Sequence, residues 1–81
     1  MEAVAAAEPP PVHTRVRLRI NGEPRELPDP MTVAELLAHL GVDASLVAVE
    51  RNHEVVVRAR RGEVTVAEGD ALEVVSFVGG G

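Results

Sequence analysis

Apolar and polar residues alternate where the chain first becomes patterned. Over residues 15–20 (RVRLRI), three apolar residues alternate with three arginines, which is the period-two pattern of a half-buried strand. Asn21-Gly22 follows, and this pair favours a two-residue hairpin turn because both turn positions require a positive φ. Residues 23–27 are therefore predicted to return as a second strand. Pro24 lies within it and cannot donate to a strand ladder, so we predict this strand at the sheet edge.

One helix is predicted, from Val33 to Leu40. Thr32 and Glu35 have the spacing of a capping box, in which each side chain accepts a hydrogen bond from the other residue's backbone N–H. Gly41 supplies the C-terminal stop. The apolar residues recur three and four positions apart, which places them on one face of the helix. They are Val33, Leu36, Leu37 and Leu40.

The second half of the chain consists of short extended segments separated by turns. The segments are 46–51, 54–58, 64–66 and 71–78, and the turns are 52–53, 61–62 and 68–70. The first and last strands are the most apolar, so we expect them to pair at the centre of the sheet. The fold class is therefore α+β, with one main helix packed on a mixed sheet of four to five strands. This is the β-grasp, or ubiquitin-like, arrangement.

The 81 residues are predicted to form one small domain with two flanking segments. Residues 1–14 are expected to be a flexible N-terminal extension, because they include three consecutive prolines and no apolar periodicity. Residues 15–78 form the domain and residues 79–81 a flexible glycine tail. The extension lacks the positive start and the apolar length of a secretory signal, so a cytoplasmic location is expected.

Composition excludes several classes of function. The chain has no Cys, which rules out disulfides, cysteine-based zinc sites and cysteine nucleophiles. Its net charge of −5 argues against nucleic-acid binding, and no apolar run is long enough for a membrane span. The three histidines match no metal-ligand spacing, so no metal site is predicted. Without a nucleophile–base pair, we expect the chain not to be an enzyme itself.

The candidate chemistry lies at the C-terminus. The last strand ends in Phe77-Val78 and is followed by Gly79, Gly80 and Gly81. A glycine tail can thread a narrow channel and present its carboxylate. ATP can convert a carboxylate into an acyl adenylate that a nucleophile captures. We therefore predict Gly81 as the attachment point and Gly80 as its unhindered neighbour. In a chain without Cys, sulfur could be carried only as a terminal thiocarboxylate.

A partner-binding patch is predicted beside the tail. If Leu72 and Val74 face the helix, strand alternation turns Val75 and Phe77 outward, and exposed apolar side chains beside a reactive tail suggest docking. In the alternative, the register is shifted by one residue and these two side chains lie in the core. The predicted partner-binding residues are Val75, Phe77, Val78 and Gly79.

The same residues carry a family resemblance. From Val16 to Gly81, the chain resembles the ThiS family, the bacterial sulfur carriers of thiamin (thiazole) biosynthesis. The matching motifs stand in order: N-G-E at 21–23, T-V-A-E-L-L at 32–37, L-G at 40–41, V-A-V-E-R-N at 47–52, E-G-D at 68–70 and E-V-V-S-F-V at 73–78. The extension is longer than the family usually has, and Val57 stands where relatives often have proline.

The resemblance implies a function and a set of partners. A ThiF-type adenylating enzyme would use ATP and Mg to adenylate Gly81, and a sulfurtransferase system would supply sulfur. A ThiG-type thiazole synthase would then accept sulfur from the Gly81 thiocarboxylate. The chain would be a protein co-substrate that binds no cofactor. The alternatives are a sister carrier (the small subunit of molybdopterin synthase or a cysteine-biosynthesis carrier) and a ubiquitin-like protein modifier.

Overall fold

A computed structural model describes residues 15–77, which form five strands and one helix. The elements are β1 (Val16–Ile20), β2 (Glu23–Leu27), α1 (Val33–Leu40), β3 (Val47–Arg51), β4 (Glu54–Val55) and β5 (Ala71–Ser76). The sheet order is β2-β1-β5-β3-β4. β1 and β5 are parallel, and the other neighbouring pairs are antiparallel. This is the predicted α+β, β-grasp arrangement, with β1 and β5 adjacent at the centre.

The first hairpin forms as its turn residues predict. Asn21 and Gly22 have φ values of 52° and 84°, and β2, which contains Pro24, is an edge strand. The Asn21 side chain also pairs with β5. Its Oδ1 accepts the Val74 N–H at 2.8 Å, and its Nδ2 donates to the Val74 carbonyl at 3.1 Å. Asn21 therefore extends the β1–β5 pairing beyond the end of β1.

The helix has the predicted bounds and caps. The Thr32 hydroxyl accepts the Glu35 N–H at 3.1 Å, and the Glu35 carboxylate accepts the Thr32 N–H at 2.9 Å. Gly41 ends the helix with a φ of 75°. The helix packs on one face of the sheet, and the core lies between them. The buried apolar residues are Val16, Leu18, Ile20, Leu27, Val33, Leu36, Leu37, Val47, Val49, Val56, Val66 and Leu72.

The strand predicted over 54–58 is wrong beyond Val55. Val56 is buried, and Arg58–Arg60 forms a 3₁₀ turn. This turn directs the Arg61 side chain into the interior, where it donates to the Ala44 carbonyl at 2.9 Å and the Val47 carbonyl at 2.7 Å. A continued strand would keep the chain extended at the point where it has to bend towards these carbonyls.

Smaller differences concern the other extended segments. β3 begins at Val47, because Ala44–Leu46 is a 3₁₀ turn, and β5 ends at Ser76. Residues 64–66 contribute one isolated bridge, between Thr65 and Thr32. The predicted N-terminal extension, Val78 and the glycine tail lie outside the described residues. No helix within residues 15–77 has the length and apolar character needed to cross a membrane.

A buried carboxylate ties the start of β5 to the β3–β4 turn. Asp70 is 5% exposed and accepts hydrogen bonds from Arg51 Nε at 2.7 Å, Asn52 Nδ2 at 3.0 Å and the Ala67 N–H at 2.8 Å. Burial alone would raise the pKa of Asp70. The hydrogen bonds from these three groups, with the charge of Arg51, outweigh burial and hold the pKa below its usual value.

We expect Asp70→Asn to destabilise the fold at neutral pH by about 1–3 kcal/mol, because an amide N–H₂ would face donors that now meet a carboxylate. A carboxyl with a lowered folded-state pKa stabilises fully above its unfolded pKa, about 3.9, and loses that contribution as pH falls through the folded value. Urea denaturation across pH should therefore show the wild-type advantage shrinking at low pH. A constant difference down to about pH 2 would contradict this account.

Candidate functional site

The predicted site begins at the C-terminal end of β5. Its reactive residues, Gly80 and Gly81, lie outside the described residues, as do Val78 and Gly79. Phe77 is the last described residue, and its N–H donates to the Leu46 carbonyl at 2.7 Å. This hydrogen bond extends the β3–β5 ladder one residue beyond Ser76. The structure thus defines the point from which residues 78–81 continue.

The side chains of β5 alternate between two environments. Leu72 is fully buried and Val74 packs against the core, whereas Val75 and Phe77 are 55% and 59% exposed. The outward placement of Val75 and Phe77 is therefore confirmed, and the shifted register is wrong. Whether these residues bind a partner stays a prediction.

Val75 and Phe77 belong to a larger exposed apolar surface. We call the side of β3, β4 and β5 that faces away from the helix the open face. On it, Ala48 lies directly across from Val75, and Val55 lies across from Glu50. Leu46 is joined to Phe77 by the backbone hydrogen bond described above and is 48% exposed. Apart from Val55 on β4, these apolar side chains lie at the ends of β3 and β5 that are nearest the tail.

Two carboxylates adjoin this apolar surface. Glu50 and Glu73 are directly opposite each other on β3 and β5, and like charges in that position destabilise a sheet. Together with Ala48, His53 and Val75 they line a shallow depression of about 390 Å³. The open face is therefore apolar near the tail and acidic farther along β5. This pattern complements a partner surface with an apolar centre and cationic side chains at one side.

Metal binding finds no support among the described residues. Within residues 15–77, no group of three or more His, Cys, Asp or Glu side chains is arranged to hold a metal ion. The acidic residue nearest the start of β5, Asp70, is fully engaged in the hydrogen bonds given above.

Sequence reasoning missed one group close to the tail. The sequence predicts Arg58 in a strand and Arg61 in a turn, whereas their guanidinium groups donate to carbonyls of the 44–47 segment, beside Phe77. A cluster of arginines after a valine-rich run is typical of a solvated surface. The pattern therefore held no signal that Arg61 would be 6% exposed.

Comparisons with known proteins agree with the fold. The sequence profile of the ThiS family matches residues 18–81. The chain is 38% identical to the "Sulfur carrier protein ThiS" of Bacillus subtilis over 65 residues, which is 79% of this chain and 98% of that protein. A crystal structure of the thiamine biosynthesis protein (ThiS) from Geobacter metallireducens aligns with a TM-score of 0.73 and 40% identity, covering 82% of this chain and 100% of that one.

Some relatives are much longer. The chain is 52% identical over 66 residues to the "Thiazole synthase" of Paramagnetospirillum magneticum, and these residues make up 82% of this chain and 20% of that protein. A second thiazole synthase, from Magnetococcus marinus, is 44% identical over 66 residues, again 20% of its length. The chain thus spans about a fifth of the length of these two relatives.

Alanine substitutions of Leu72 and Phe77 should distinguish a core side chain from an exposed one by their effect on stability. Leu72→Ala removes a fully buried side chain and should cost about 2–5 kcal/mol of unfolding free energy. Phe77→Ala removes an exposed side chain and should change stability by no more than about 0.5 kcal/mol. Urea denaturation of both variants measures the difference. Equal losses would mean that Phe77 contributes to the core after all.

Proposed function

Because the chain belongs to the ThiS family, we propose that it is a sulfur carrier for thiamin thiazole synthesis, with the sulfur held as a thiocarboxylate on Gly81. The observation that carries this proposal is the end of β5. The strand is held by the sheet up to the Phe77 N–H, and the sequence then continues with Val78 and three glycines. A fixed strand end followed by a valine and three glycines, which have no side chains, suits a terminus that enters a partner's active site.

The proposed chemistry requires Gly81 to carry a free carboxylate. That carboxylate attacks the α-phosphate of ATP, pyrophosphate leaves, and an acyl adenylate forms. A sulfur nucleophile at the oxidation level of sulfide then attacks the acyl carbon and displaces AMP. One carboxylate oxygen is thereby replaced by sulfur without net oxidation. The chain acts as co-substrate, while its activating partner binds the ATP and Mg and provides the catalytic groups.

The partners follow from this sequence of steps. A ThiF-type adenylating enzyme would activate the terminus, a sulfurtransferase would deliver sulfur, and a thiazole synthase would accept it. The two relatives named thiazole synthase each contain a segment similar to this chain, which supports the last assignment. We place these encounters in the cytoplasm. The open face, with Val75 and Phe77 exposed beside the tail, is the surface proposed to dock.

The proposal predicts a change in intact mass. After co-expression with the adenylating enzyme and the sulfurtransferase, the purified chain should gain the difference between one sulfur and one oxygen. Deleting Gly80 and Gly81 together should abolish the gain. Deleting one glycine is a poor test, because the sequence would still end in Gly-Gly. Val57→Ala is the matched control, since Val57 is exposed and belongs neither to the tail nor to the predicted partner-binding residues.

An unchanged mass in the presence of an adenylating enzyme that is active on another carrier would contradict the sulfur-carrier role. Amide-linked conjugates in the same extract would instead favour a protein modifier.

A second prediction concerns docking. Phe77→Glu should weaken binding to the adenylating enzyme by about tenfold or more, because it places a charge in an apolar contact. Val57→Glu is the control, since Val57 is similarly exposed and apolar but lies outside the β3–β5 ladder. Calorimetric titration compares the two. An equal loss of affinity in both variants would contradict the proposed role of the open face in docking.

A further inference from the structure

The 44–47 segment has an unusual distribution of hydrogen bonds. Each of its four consecutive carbonyls accepts a hydrogen bond from outside the segment. The donors are Arg61 Nη1 to Ala44 at 2.9 Å, Arg58 Nη2 to Ser45 at 3.3 Å, the Phe77 N–H to Leu46 at 2.7 Å, and Arg61 Nη2 to Val47 at 2.7 Å. Three of the four are thus bound by arginine, and the remaining one holds the last described residue of the chain.

The Arg61 guanidinium fills a gap beside β3. β4 pairs with Glu50 and Arg51, so among residues 15–77 no strand neighbours β3 at Val47 on that side. Arg61 Nη2 takes the position of the missing donor. Its own backbone carbonyl accepts the Ala34 N–H at 3.0 Å, which ties the residue to the first turn of α1. Arg61 therefore joins the helix, the 44–47 segment and the edge of β3.

Burying the charged Arg61 side chain at this position is energetically costly. It is 6% exposed, and its Nε is buried with no hydrogen-bond partner among the described residues. Within residues 15–77, no carboxylate forms a salt bridge with it. Burial, and secondarily the charge of Arg58, lower the pKa of Arg61. A buried charge without a counter-ion is destabilising, and the hydrogen bonds to the Ala44 and Val47 carbonyls offset part of this cost.

The two carbonyls that Arg61 binds flank Leu46, whose carbonyl holds Phe77. A planar guanidinium with fixed donors restrains the spacing of two acceptors better than a single ammonium does. We propose that Arg61, assisted by Arg58, is a positioning residue for the tail, and that it fixes the position of Phe77, from which residues 78–81 continue. The catalytic consequence of this placement rests on the proposed sulfur-carrier function.

If the position of Phe77 is fixed, less conformational entropy is lost when the terminus is placed in a partner's active site. Loss of the Arg61 contacts should therefore appear as weaker productive binding, while the chemical step in the bound state is little changed. In kinetic terms, the KM for the carrier should rise and kcat should stay nearly constant.

The test compares two backbone amides at opposite ends of one ladder. The Phe77 N–H donates to Leu46 at the tail end, and the Asn52 N–H donates to the Ala71 carbonyl at 2.8 Å at the other end. Hydrogen exchange followed by NMR measures both in one sample. In Arg61→Lys and Arg61→Met, exchange at Phe77 should accelerate about tenfold relative to exchange at Asn52.

Asp70→Asn is the matched control. It disturbs a buried charged group that contacts Asn52 and lies at the start of β5. It should accelerate exchange at Asn52 and leave Phe77 unchanged apart from any change in global stability. The two kinds of variant therefore have opposite expected effects on the ratio of the two exchange rates.

The functional readout uses thiocarboxylate formation by the adenylating and sulfur-delivery enzymes, corrected for the folded fraction. Arg61→Lys should raise the KM for the carrier about tenfold and change kcat by less than about twofold. Asp70→Asn should change neither.

Equal acceleration at Phe77 and Asn52 in the Arg61 variants would overturn the proposal. So would a wild-type Phe77 amide that exchanges as fast as an unstructured peptide, an unchanged KM, or unfolding of both Arg61 variants where Asp70→Asn remains folded. If wild type accepts no sulfur, the proposed function fails, but the exchange ratio still decides whether Arg61 fixes the position of Phe77.

Discussion

The parallel pairing of β1 with β5 is the interaction on which the rest of the structure depends. It places the last strand between the first and third strands, with both sides of β5 hydrogen-bonded. Asn21 prolongs the contact by binding both backbone groups of Val74 with its side chain. Because one helix covers only one face of this sheet, the two-residue period of β5 divides its side chains between a dry core and the open face. The exposure of Val75 and Phe77 follows directly from that division.

The structural features that could be predicted from the sequence are those determined by residues adjacent along the chain. A positive φ at Asn21-Gly22, the reciprocal cap of Thr32 and Glu35, and the stop at Gly41 each depend on a few adjacent positions. The length of the strand after residue 53 could not be predicted in this way. It depends on Arg61 reaching carbonyls 14 and 17 residues earlier in the chain. The burial of Asp70 likewise requires the side chains of Arg51 and Asn52, 19 and 18 residues earlier, which become its neighbours only when the sheet has formed.

The open face is less stable than a sheet surface could be. Glu50 and Glu73 oppose each other directly, and the apolar side chains beside them remain in water. Replacing either feature with matched charges or polar residues would favour the isolated fold. Local conflicts of this kind are expected where a surface meets a partner. The features that lower stability lie on β3 and β5, the strands that lead to the tail. The opposite end of β5 is stabilised by the Asp70 hydrogen bonds.

Chain geometry connects the open face to the proposed chemistry. Gly81 lies four residues after Phe77, and a fully extended chain spans at most about 3.3–3.6 Å per residue. The carbonyl carbon of Gly81, which reacts in the proposed chemistry, can therefore lie no more than roughly 14 Å from Phe77. A partner that acts on this carbon has to approach the end of β5 closely, which brings it near the exposed side chains of Val75 and Phe77 on the open face. If Gly81 reacts as proposed, the limited span between Phe77 and Gly81 makes the position of Phe77, and whatever fixes the carbonyl of Leu46, part of the geometry of that reaction.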